Sequence, residues 1–226
     1  MNVLILNCDF DESQATNGAV LLRSYLQKKG IVDIVIKEVF NGYFPMKNGL
    51  KKFSAVIITG SRASVYENNP WIKKLFDTIK LIDRGNIPTL GICFGFQAIA
   101  EALGGKVQAS SDLEEGYLPI SLTTDGKQHA LFKGFPPSFS VYQSHGDILT
   151  AFPKDTILLA ENTHSSQAYV LRNFYCVQFH PEILPHTAVT MAKRDGKNVD
   201  SILRATREEY TLPLQVLSNF ISLAAR

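Results

Sequence analysis

Cysteine is scarce in this chain: three residues, Cys8, Cys93 and Cys176, stand far apart among 226. That usage excludes a disulfide scaffold, fits a reducing compartment, and offers no clustered Cys/His set with metal-ligand spacing. Charge of one sign is equally absent. Lys and Arg number 23 against 21 Asp and Glu, a formal net charge of +2. The small Lys51-Lys52 and Lys73-Lys74 pairs read as solvated faces, so no nucleic-acid partner is expected. No stretch approaches the ~18 apolar residues of a membrane span. The segment Met1-Asn2-Val3-Leu4-Ile5-Leu6 has no basic leader and reads as a buried strand, not a signal peptide. The expectation is a cytoplasmic protein without a membrane partner. No Gly-x-x-x-x-Gly-Lys loop is present, so neither nucleotide, metal nor other cofactor is expected.

Present instead are short β-branched runs alternating with amphipathic segments, the pattern of a parallel sheet covered by helices. Val3–Cys8, Asp33–Val39, Ser54–Thr59 and Pro88–Ile92 read as strands. A helix is expected from Thr16 to Lys29, stopped by Gly30. A second is marked by Asn69 as cap, Pro70 in its first turn and Gly85 past its end. Its Trp71, Leu75, Ile79 and Ile82 recur at helical spacing, a core stripe. A short helix is expected over Gln97–Leu103. The second half changes character. Leu118–Thr123, Phe139–Gln143, Thr156–Ala160, Ala168–Arg172 and Tyr175–Phe179 are short runs between turn residues, the pattern of an antiparallel extension. Leu212–Ala225 reads as a closing helix, and Leu184–Tyr210 shows no clear pattern. The whole, 1–226, reads as a single α/β domain with a C-terminal extension, 184–226, of open role.

The strongest local signal is Leu90-Gly91-Ile92-Cys93-Phe94-Gly95-Phe96-Gln97, where a buried strand turns into a helix between two glycines. This is a Gly-x-Cys-x-Gly elbow, in which the sharp turn projects the sulfur and leaves no room for neighbouring Cβ atoms. A helix N-terminus behind the sulfur favours thiolate, and the Phe94 N–H is a natural oxyanion donor. On its own the motif is equally a buried structural cysteine. A thiol nucleophile needs a base and the base an orienting group. Gln178-Phe179-His180-Pro181-Glu182 offers both, since residues two apart in extended chain leave on one face and Pro181 biases His180 toward extension. A lone His-x-Glu is as well explained by a surface pair at a strand end. Cys8 and Cys176 read as core residues.

Taken together and in order, these motifs resemble the signature of class I glutamine amidotransferases. Thr59-Gly60-Ser61 matches that family's glycine loop, and Ala102-Leu103-Gly104-Gly105-Lys106-Val107 the stretch after the nucleophile helix. Glu114-Glu115-Gly116-Tyr117 resembles its Glu-x-Gly segment, and Gln143-Ser144-His145-Gly146-Asp147 the Ser-His-Gly-Asp run of its GMP-synthetase branch. The likeness spans Met1 to Glu182. It departs at Phe94 and Phe96, where Tyr and Met are typical. The branch with His directly after the nucleophile is set aside by Phe94. An α/β-hydrolase is set aside because Glu182 follows His180 in the chain.

The resemblance implies a three-layer flavodoxin-like fold: a mostly parallel sheet with helices on both faces. It implies a Cys93–His180–Glu182 triad, an oxyanion hole from the Gly60 and Phe94 N–H groups, and substrate contacts from Ser61, Gln97, Ser144 and His145. For His145 a structural role in a polar loop is the competing reading. The reaction implied is cleavage of the glutamine side-chain amide through a γ-glutamyl thioester. Its partners would be a small-molecule substrate and a separate synthetase that accepts the ammonia. A stand-alone γ-glutamyl peptide or conjugate hydrolase uses the same residues. A non-catalytic binding module is the reading from another class, and the complete triad argues against it.

Overall fold

The apolar runs of the first half become parallel strands of one nine-stranded sheet in the computed structural model, which describes residues 1–202 and 211–225. The strands are β1 (Asn2–Asn7), β2 (Asp33–Glu38), β3 (Ala55–Ile58), β4 (Thr89–Ile92), β5 (Lys106–Leu122), β6 (Ser138–Ala151), β7 (Ile157–Glu161), β8 (Ser166–Leu171) and β9 (Phe174–Val177). The helices are α1 (Gly18–Lys28), α2 (Pro70–Arg84), α3 (Phe94–Ala102), α4 (Thr124–Gln128), α5 (Pro185–Arg194), α6 (Val199–Ile202) and α7 (Leu214–Ala224). Across the sheet the order is β2-β1-β3-β4-β9-β8-β7-β5-β6. The first five run parallel, and β9-β8-β7-β5-β6 pair antiparallel.

Alternation along β1 builds the two cores. Val3 and Ile5 face one side with Leu22 and Leu26 of α1 and Val216, Leu217 and Phe220 of α7. Leu4 and Leu6 face the other, with Leu75, Ile79 and Ile82 of α2 and Ile99 of α3. The result is three layers, helices on both faces of a mixed sheet, as expected. Helix starts fall where capping chemistry puts them. The Asn17 side chain accepts the Val20 N–H and the Asn69 side chain that of Trp71, with Pro70 at the first position of α2.

Three expectations need correction. The helix expected from Gln97 begins at Phe94, because a single residue, Cys93, makes the whole strand-to-helix reversal. β5 and β6 run far beyond 118–123 and 139–143. Their extra residues are polar (Gln108, Ser110, Asp112, Glu114, Glu115) and a register shift between Ala109 and Glu114 breaks the period-two signal. His145 therefore lies in strand β6, paired with Glu114, and is buried instead of sitting in a loop.

The unassigned 184–210 stretch holds α5 and α6, with residues 203–210 outside the described part. Helix α5 buries only Thr187, Ala188 and Ala192, too small a stripe to announce itself. The closing helix α7 completes the core. Phe220 is fully buried against Tyr175 on β9, ring centroids 5.8 Å apart. Phe220→Ala is expected to lower unfolding stability by about 3–5 kcal/mol, read from urea denaturation with unchanged m. A loss below about 1 kcal/mol would show that α7 only rests on the sheet.

Candidate active site

Strands β1, β3, β4 and β9 all end at one edge of the sheet, the edge where parallel α/β sheets place their sites. At the end of β4, Cys93 holds φ 50° and ψ −102°, and Phe94 already opens α3. A non-glycine residue there carries strain of about 1–3 kcal/mol, which persists only where its surroundings over-determine it. They do. The Cys93 N–H donates to Val177 O at 2.9 Å, tying the elbow to β9. A Cβ on Gly91 would stand 2.6 Å from Ile99 Cδ1 and 2.8 Å from the Gly95 carbonyl carbon, and one on Gly95 would run into the Ile58 carbonyl. Both glycines flanking the cysteine are thus required by close approach. The Phe94 ring packs in the core against Trp71 at 5.4 Å, and its N–H, in the first turn of α3, has no acceptor within the helix.

Beyond β9 the chain bends at Gln178 and Phe179 and reaches His180, whose N–H donates to Tyr142 O at 2.9 Å. The imidazole Nδ1 lies 2.8 Å from Glu182 Oε1, and the Cys93 sulfur is near enough to act on the ring electrostatically. Its Cε1 edge points at the β3 loop, 2.7 Å from where a Gly60 Cβ would stand. Any side chain at position 60 would displace the ring. Burial is the largest influence on His180 and works to discharge it. The Glu182 carboxylate and the Cys93 sulfur outweigh burial and hold the imidazolium well above the ordinary histidine range. An imidazolium between a carboxylate and a sulfur can stabilise thiolate and can pass a proton to a leaving group on the cavity side.

Cys93, His180, Glu182, Gly60, Ser61, Gln97, Ser144 and His145 all line one cavity of about 580 Å³; of the nine residues singled out in the sequence only Phe94, whose ring is in the core, does not. Gln97 Nε2 donates to the Asp147 carbonyl and to Gln178 Oε1, each at 3.1 Å. The Cys93 sulfur lies 4.0 Å from the Ser144 carbonyl. Both ring nitrogens of His145 are engaged inside the protein, Nδ1 with Asp147 O at 3.2 Å and Nε2 with Gln143 Oε1 at 3.1 Å. Among the described residues no group of three His, Cys, Asp or Glu could hold a metal ion.

Residues that the sequence did not single out complete the walls. Asp9, after β1, accepts the N–H of Gly18 at 2.9 Å and of Asp11 at 3.0 Å; burial raises its carboxyl above the ordinary range. A Cβ on Gly18 would stand 3.6 Å from Glu182 Oε1, so the N-terminus of α1 closes on that carboxylate. The far wall is the end of α5 and the residues after it. Arg194 pairs with Asp11 and Asp195, and Lys197 with Glu115. An acid after a strand and a weakly apolar helix are both too common to be recognised in sequence.

The three thiols differ sharply. Cys8 and Cys176 are fully buried, and burial raises both. Iodoacetamide is expected to modify Cys93 alone in the native protein, as peptide mapping would read; equal labelling of a second thiol would contradict the packing described.

Residues 21–196 match the family model described as glutamine amidotransferase class-I. Gamma-glutamyl peptidase 4 of Arabidopsis thaliana is 34% identical over 149 residues, 64% of this chain and 59% of that protein. The glutamine-hydrolysing GMP synthase of Syntrophomonas wolfei is 40% identical over 138 residues, 59% of this chain and 25% of that protein. The chain thus matches less than two thirds of the length of these curated relatives. A glutamine amidotransferase from Thermotoga maritima superposes with TM-score 0.81 at 22% identity, over 100% of this chain and 98% of that one. At that identity the likeness speaks for the fold alone. The family match covers well over half of the sequence, and the chain belongs to the glutamine amidotransferase class-I family.

Proposed function

We propose that the chain hydrolyses a γ-glutamyl amide through a thioester on Cys93. The observation that carries this is the His180 ring, hydrogen-bonded to Glu182 and lining one cavity with a cysteine held at a strained elbow. The Cys93 thiolate attacks the side-chain carbonyl carbon of the substrate, and the Gly60 and Phe94 N–H groups take the oxyanion. His180 gives its proton to the departing nitrogen, which leaves as ammonia or an amine while the C–S bond remains. Water, deprotonated by the now neutral His180, then attacks the thioester and releases glutamate and the thiolate. Glu182 holds the imidazole in orientation and stabilises its charge. Ser61, Gln97 and the Ser144–His145 backbone hold the glutamyl head.

Glutamine as substrate, with ammonia passed to a separate synthetase, is the first reading, supported by the similarity to GMP synthases. A second reading, a stand-alone hydrolase of γ-glutamyl peptides, is favoured by one feature. The cavity continues past His180 to a wall of Ile183, Met191 and Arg194, where a leaving group larger than ammonia has room. Similarity to a γ-glutamyl peptidase supports the same reading.

Glutamate release from glutamine and from γ-glutamyl dipeptides by the purified chain tests both. Cys93→Ala is expected to lose at least ~10³-fold in kcat. Faster dipeptide cleavage selects the peptidase reading, and preference for glutamine selects the ammonia-delivering amidotransferase. The absence of Cys93-dependent release from any of them would sink the catalytic proposal. The pH profile gives a second check. Activity needs His180 protonated, and its raised pKa keeps it so above the ordinary histidine range. In Glu182→Gln that support is gone, so the alkaline limb of kcat/KM is expected to move to lower pH; an unmoved limb would show that Glu182 does not act on His180.

A further inference from the structure

Neither Glu114 nor the ring of His145 has a part in the chemistry above, yet both are sunk in the protein, with side chains 4% and 3% exposed. They are cross-strand partners on β5 and β6, the pair that restores register after the irregularity between Ala109 and Glu114. His145 Nε2 lies 3.4 Å from Glu114 Oε2. A carboxylate at that depth costs several kcal/mol unless its oxygens are satisfied. Here the Asn162 amide, Ser165 Oγ at 2.6 Å and Gln167 Nε2 at 3.3 Å all converge on it. Asn162 and Ser165 lie in the turn between β7 and β8, where Asn162 Oδ1 also accepts the N–H of His164 and Ser165. Glu114 is thus anchored to one hairpin while it holds another.

Its reach extends to the reacting sulfur. His145 meets the Asp147 carbonyl, and the same carbonyl accepts from Gln97, one turn into the helix that Cys93 starts. On the other side of His145 is Ser144, whose carbonyl faces the Cys93 sulfur at 4.0 Å. The ring itself has no nitrogen left for a ligand. Its effect on the cavity passes through the backbone on either side of it.

We propose that Glu114, acting through His145, is a positioning residue that fixes the Ser144–Asp147 backbone against Gln97 as the cradle of the γ-glutamyl head. This rests on the reading of the cavity as a γ-glutamyl site. A cradle set about 1 Å out of place weakens the hold on the head while leaving the thiolate and imidazolium intact. The signature is therefore a rise in KM with kcat little changed.

The test is steady-state kinetics of the full chain with its better γ-glutamyl substrate, for Glu114→Gln, His145→Gln and the double variant. Each single change is expected to raise KM about tenfold with kcat within about threefold, and the double variant to be no worse than the worse single. Unchanged KM, a fall in kcat alone, or multiplied effects would overturn the proposal. Ser165→Ala, which removes one donor to Glu114, serves if the larger changes unfold the chain, and is expected to raise KM about threefold. A readout independent of turnover is alkylation of Cys93 by a chloroketone analogue of glutamine compared with iodoacetamide. Glu114→Gln should slow the first about tenfold and leave the second alone. Equal chloroketone labelling of variant and wild type would refute the positioning role and spare the proposed function. A wild type with neither Cys93-dependent turnover nor chloroketone labelling would remove both.

Discussion

The hydrogen bond between His180 and Glu182 is the interaction around which the rest of the site is arranged. It fixes the imidazole, whose Cε1 edge lies so close to Gly60 that no Cβ fits there. It also places a carboxylate beneath the ring that needs its own compensation. The start of α1 comes up against Glu182 at Gly18, whose N–H is taken by Asp9, and Glu182 Oε2 is left buried without a hydrogen-bond partner among the described residues. Position 60 is thereby restricted to glycine by one side-chain pair, while position 18 packs against Glu182 at ordinary contact distance. The sulfur is delivered from the opposite direction by an elbow that works only because Gly91 and Gly95 let backbone pass close to backbone.

The C-terminal extension joins these parts in two ways. Helix α7 fills the face of the sheet that α1 leaves open, so it belongs to the core. Helix α5 belongs to the cavity, where its last turn forms the wall beyond His180. One segment of chain thus serves stability and the shape of the site through different helices, and the two effects are separable by substitution.

Most of the parallel half was legible because its signals are local. Val3 to Leu6 is apolar throughout, and caps and glycines stand at the ends of α1 and α2. The candidate triad was legible because Gly91–Gly95 and His180–Glu182, each ambiguous alone, occur together and in order with the other motifs. What escaped was whatever depends on pairing across the sheet. β5 and β6 carry polar residues toward one another, so neither shows period-two alternation, and the burial of His145 follows only from Glu114 lying opposite. Asp9 and Arg194 escaped for the same reason: each becomes part of the site only when β1 and α5 meet at one edge.

The floor and the mouth of the cavity are built from different forces. At the floor, the side chains of His180 and Glu182 are 15% and 2% exposed and meet at 2.8 Å, which leaves little room for screening ions. At the mouth, Arg194 with Asp11 and Lys197 with Glu115 span partly exposed gaps between α5 and the sheet. Pairs of that kind weaken as the Debye length shrinks, to ~8 Å at physiological ionic strength and less above it. Dissolved salt therefore acts on the entrance more than on the tighter pair at the floor, so ionic strength bears first on how freely the cavity communicates with its surroundings.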